Sequence, residues 1–168
     1  MLTEYGALLA DKDEETQLIA DLTRKTHTLT TRDERAPFLQ EVKNLLLSNP
    51  ELKITEALIF VWTKIALGSY LTNHICLEEV KEFLKCIALQ FPHIPLYTLL
   101  VAHIRTMKLG LQNQEALYLS NLKKAQDLIL LLGKEGIKDI SKPFFTIVYA
   151  KEWGLPELVD CLTSVLPD

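Results

Sequence analysis

The sequence predicts an all-α protein, and three observations carry that expectation. Apolar residues recur at i, i+3, i+4 and i+7 along most of the chain. Most of the six Gly and seven Pro residues fall between the periodic runs, and none marks a low-complexity tract. No apolar-polar alternation bounded by hairpin turns occurs. The expected architecture is one domain over 1–168, either a helical bundle or a short stack of antiparallel helical hairpins, with seven to nine helices. Residues 1–30 are expected as a peripheral N-terminal helical segment. A chain of 168 residues can bury about 70% of its unfolded surface, so it needs no disulfide or metal staple.

Each element has its own signal. Leu2, Tyr5, Leu8 and Leu9 share one face, as do Leu18, Ile19 and Leu22. His27 lies in the polar connector "TRKTHTLTTRDE". Phe38, Val42, Leu45 and Leu46 make the next stripe. The helix at 54–72 is apolar nearly all round, with Ile59, Phe60, Val61, Trp62, Ile65 and Leu67. A helix without a polar face belongs at the centre of the fold, so Trp62 is expected in the core. Gly68 within it marks a kink or a close helix crossing.

Further helices are expected at 77–90, 95–108, 114–132, 142–153 and 156–166. Their breakers are "FPHIP", "LGLQN", "GKEGIKD" and Gly154-Leu155-Pro156. Ser141 is the expected N-cap before Pro143, Asn113 the expected cap of the helix that follows it, and Gly154 the expected C′ residue. Connections of about two to six residues make neighbouring helices antiparallel. The tetratricopeptide pattern is absent.

The segment "HICLEEVKEFLKC" (74–86) is the nearest approach to a chemical motif. His74, Cys76, Cys86 and His93 would read H-x-C-x9-C-x6-H, which lacks the short Cys–Cys knuckle of a zinc site. On one helix, Cys76 and Cys86 would stand about 15 Å apart, too far to share an ion. The competing reading is an amphipathic helix. Leu77, Val80, Phe83, Leu84, Ile87, Ala88 and Phe91 form its buried stripe, and Glu78–Lys81 and Glu82–Lys85 are i, i+3 pairs on a solvated face. That reading is adopted, with no metal site and no cofactor.

Catalytic signatures are absent too: no phosphate-cradling Gly-rich loop, no H-E-x-x-H, no G-x-S-x-G and no calcium loop. His74 and Cys76 are two residues apart and do not share a helical face, so they make no nucleophile–base pair. His103 sits among apolar neighbours, as a buried imidazole would. Three cysteines (Cys76, Cys86, Cys161) cannot all pair, and they occupy buried-looking positions. A reducing, intracellular and cytoplasmic setting is expected. The N-terminus has no basic region ahead of an apolar core, and Lys64 interrupts the most apolar window.

The formal net charge of −4 argues against a dedicated nucleic-acid binder. The distribution is uneven, however. Between 101 and 151 lie Arg105, Lys108, Lys123, Lys124, Lys134, Lys138, Lys142 and Lys151, against Glu115, Asp127, Glu135 and Asp139. The expected function is a non-enzymatic helical protein–protein interaction module: an adaptor, a regulator or a subunit of a larger assembly. Its partner would be another protein with an acidic surface, met by Lys134, Lys138, Lys142, Lys151 and Trp153. One alternative is a nucleic-acid-associated protein using the basic 101–151 region. A second is a helical enzyme without a recognisable linear motif.

Overall fold

The computed structural model describes residues 31–48, 55–137 and 143–165, with scattered positions between 17 and 29. These residues form eight helices and no strand, as the periodicity predicts. They are α1 (Arg32–Ser48), α2 (Thr55–Leu71), α3 (Leu77–Gln90), α4 (Leu96–Gly110), α5 (Glu115–Lys134), α6 (Pro143–Glu152), a 3-10 turn (Pro156–Leu158) and α7 (Val159–Val165). The single helix expected over 156–166 is thus a 3-10 turn running into a short α-helix. No described helix is long and apolar enough to cross a membrane. The chain divides into two compact units, Met1–Cys76 and Leu77–Asp168.

In the first unit, α1 packs against α2. Thr31 starts α1: its hydroxyl accepts the Glu34 N–H at 3.3 Å and donates to the Glu34 carboxylate at 2.8 Å. This T-x-x-E start resembles a capping box in its residues. Trp62 lies fully buried on α2, and its indole N–H donates to the Leu39 carbonyl at 2.9 Å. The central helix is therefore joined to α1 by a hydrogen bond as well as by packing. Arg35 is gripped at two points. Its Nε donates to the Leu29 carbonyl at 2.7 Å and its Nη1 to the Ser69 hydroxyl at 3.1 Å, while burial lowers its pKa.

Not every side of α2 is covered, because Phe60 and Lys64 are exposed. Among the described residues Gly68 makes no close crossing: a Cβ built there meets none of them within 4 Å. After α2 the chain turns at Asn73, whose φ of +65° is a left-handed value that Asn tolerates better than most residues.

In the second unit, α5 packs against α3, α4 and α7, and α6 packs against α4 and α7. Leu122, Ala125, Leu128, Ile129 and Leu132 supply its buried stripe. The cap expected at Asn113 is not made; Gln114 holds the N-cap position without a side-chain bond. At the other end, Gly136 has φ +83° and the Ile137 N–H bonds to the Leu132 carbonyl at 3.0 Å. This left-handed glycine closes the helix as a C′ residue does. The fully buried Tyr97 of α4 then donates to the Ile137 carbonyl at 2.6 Å, fixing the chain leaving α5.

Gly133 is needed for another reason. A Cβ there would run into the Val165 side chain, so α5 and α7 approach closely only with glycine at that position. Gly154, with φ +72°, plays the expected C′ role after α6, and the Leu155 N–H reaches back to the Ala150 carbonyl at 2.8 Å.

The charged side of α3 departs from the expected solvated face. Lys81 is buried and meets Glu78 at 3.0 Å, Glu82 at 2.9 Å and Glu135 at 2.8 Å. Lys85 turns to Glu135 as well, at 3.3 Å. Hydrogen bonds from Lys81 and then Lys85 hold the Glu135 carboxyl below the usual carboxylate range, and Lys81 does the same to Glu82. The same bonds, Glu135 first, raise the pKa of Lys81. The cysteine expectation also needs correcting: Cys161 is buried, Cys86 is half-buried and Cys76 is exposed, because Cys76 falls in the connection before α3.

Candidate functional site

The C-terminal half of α4 and the C-terminal end of α6 bring cations and aromatic rings together. On α4, Arg105 and Lys108 are three residues apart, so they share a face. Tyr149 and Trp153 are four apart at the end of α6, and that spacing stacks their rings. The centroids are 5.0 Å apart with only 8° between the planes. A hydroxyl–hydroxyl bond between Thr98 and Thr146, 2.7 Å long, joins α4 to α6 away from these rings.

The Arg105 guanidinium carbon lies 5.2 Å from the centroid of the Trp153 ring, within cation–π range. Lys108 extends toward the turn after α6, donates to the Gly154 carbonyl, and sits 5.7 Å from the centroid of the Tyr118 ring. A Cβ on residue 154 would come within 3.3 Å of the Lys108 ammonium, so glycine serves both the turn and this contact. Burial, followed by the charge of Glu157, raises the Tyr118 pKa and keeps the phenol protonated.

The expected site residues divide among several places. Trp153 is half-buried in the aromatic pair, and Lys151 is exposed two residues before it. Lys134, at the end of α5, instead lines a groove with residues of α7. Lys138 and Lys142 lie outside the described residues, as does the expected cap Ser141. Arg105 and Lys108 belong to the site and were counted in the sequence only as part of a charge excess. No local pattern links them to Trp153, because the connection is made by packing α4 against α6.

Arg105, Lys108 and Lys151 form no ion pair with any carboxylate among the described residues. The acidic residues nearest in sequence are Glu152 and Glu157, both exposed. The corner therefore presents cations with no ion-pair carboxylate among the described residues beside a stacked aromatic pair, with the charge of Glu157 felt at Tyr118. This arrangement can accept carboxylates at its rim and apolar or planar groups at its centre.

Burial pushes the Cys161 thiol up to about 11, and its Sγ–H faces the Leu158 carbonyl at 3.2 Å, so it carries little thiolate. His103 is buried, and His74 Nδ1 lies 2.6 Å from the Thr72 hydroxyl. Among the described residues no three His, Cys, Asp or Glu side chains gather as a metal's ligands would. Set against protein families, curated proteins and solved structures, the chain matches none of them.

Proposed function

We propose that the chain is a helical protein–protein interaction module, and that the corner built from Arg105, Lys108, Tyr149 and Trp153, with Lys151 exposed on another face of the same α6 end, receives an acidic partner surface. One observation carries this reading: in a chain of net charge −4, Arg105 lies over Trp153 of the stacked aromatic pair and Lys108 reaches the adjacent Gly154 carbonyl, and neither cation forms an ion pair among the described residues. Trp, Tyr and Arg are the residue types that dominate interface energetics, and a rim of Lys speeds encounter with an acidic patch. Prior stacking reduces the ordering cost of Arg105 and Trp153 on binding. An adaptor, a regulator or an assembly subunit would each use such a surface. Free cysteines, one of them exposed, go with a reducing intracellular setting.

The test is quantitative affinity purification with native protein and an Arg105→Glu/Lys151→Glu variant, with and without nuclease treatment. Both residues are exposed, so the variant should keep its helical circular dichroism. The expected result is a protein bound by native chain, nuclease-resistant, depleted at least about tenfold from the variant and weakened by salt. Equal recovery on both baits overturns the reading. Recovery that depends entirely on nucleic acid overturns it too, in favour of a nucleic-acid contact.

A further inference from the structure

We propose that the groove between α5 and α7 is a second binding site, and that its ligand is a medium-chain aliphatic carboxylate. The groove is a cavity of about 600 Å³, within the usual size range of small-molecule sites. Its walls are Leu77, Leu130, Leu131 and Val165, aliphatic side chains with no aromatic ring among them. Leu130 is 44% exposed there, a large apolar side chain facing solvent within the groove; Leu117 and Leu119 near the start of the same helix are exposed as well, outside it. The close passage of α5 over α7 at Gly133 forms part of the lining.

The polar groups of the groove select the ligand. Asp127 pairs with Lys123 at 2.9 Å on the exposed rim, and the Ser164 hydroxyl donates to the Cys161 carbonyl at 2.7 Å. Lys134 is exposed and has no ion pair among the described residues. One available cation beside four aliphatic walls matches a molecule that is apolar along its length and anionic at one end. An extended peptide matches less well. It would bring an N–H and a C=O with every residue, and walls made of helix side chains offer those groups few partners. Along α5, Lys134 and Asp127 are seven residues apart, about 10 Å. With C–C bonds of about 1.5 Å, an extended ten-carbon chain has a similar length.

Calorimetric titration of the full chain with decanoate, below its micelle-forming concentration, tests the assignment. Decylammonium serves as the charge-reversed probe and acetate as the tail-less one. Decanoate should bind, and the other two should not. Lys134→Gln and Leu130→Asp each alter an exposed side chain, so both variants should retain native circular dichroism. Each should weaken decanoate by about tenfold or more, the scale of one charge-assisted contact or of several buried methylenes. Failure of decanoate to bind overturns the proposal. So does decylammonium binding as tightly as decanoate, or full affinity in both variants.

Discussion

Replacing Trp62 isolates what holds α2 in place. Its side chain is fully buried, and a buried aromatic residue removes about 150–250 Å² from water. At about 25 cal/mol per Å² this corresponds to roughly 4–6 kcal/mol as an upper bound. Alanine keeps a small part of that burial but leaves a cavity, so Trp62→Ala should cost about 3–5 kcal/mol. Trp62→Phe separates packing from hydrogen bonding. It retains most of the apolar area and deprives the Leu39 carbonyl of its 2.9 Å donor. The Leu39 carbonyl lies inside α1 and keeps its helical partner, so losing the indole bond should cost about 0.5–1.5 kcal/mol; both variants lose it, and the difference of about 2 kcal/mol expected between them measures packing. Urea unfolding followed by far-ultraviolet circular dichroism measures both, read on the transition of the Met1–Cys76 unit if the two units melt separately. The reasoning is refuted if Trp62→Ala lies within about 0.5 kcal/mol of native protein, because a cavity of that size cannot be neutral.

Three further outcomes are expected. Glu135 and Glu82 have folded pKa values below their unfolded ones, so their contribution to stability is present above about pH 4.3 and is lost as pH falls through the folded values. Lys81 is raised, so its contribution holds below about pH 10.4 and is lost as pH climbs through the folded value. The gap in melting temperature between native protein and Glu135→Gln should accordingly narrow on acidification from about pH 6 to about pH 3, and a constant gap would contradict the ion cluster. Thr63 is fully buried, and its hydroxyl has no hydrogen-bond partner among the described residues, so Thr63→Val should raise the unfolding free energy by up to about 1 kcal/mol. A thiol reagent should label Cys76 first, Cys86 more slowly and Cys161 only on unfolding, which timed mass spectrometry would resolve.

Local features were legible in the sequence; features that join distant segments were not. The bounds of α3 match the apolar stripe from Leu77 onward, and Gly154 announced its turn because a Gly-Leu-Pro run can only end a helix. Trp62 was placed in the core by the all-apolar character of its own helix. Lys81 was misread as solvated. Its i, i+3 spacing to Glu78 is local, whereas the Glu135 that draws it inward is 54 residues away. The candidate corner was half visible for the same reason. Trp153 and Lys151 are neighbours in sequence, while Lys108 reaches Gly154 across 46 residues. Gly133 gave no sign that α7 would pass over it, since a glycine near a helix end reads first as a stop signal. The T-x-x-E start at Thr31 is readable in the sequence, although it lies inside a polar connector.

The most direct test of the central claim is carbodiimide crosslinking of the native complex with its purified partner, mapped by mass spectrometry. The reagent joins an amine to a carboxylate with no spacer, so it records only charge pairs in contact. The account predicts bonds from Lys108 and Lys151 to Asp or Glu of the partner, disappearing as salt is raised before crosslinking. Crosslinks confined to other lysines, with Lys108 and Lys151 unmodified in a complex that has formed, would contradict it.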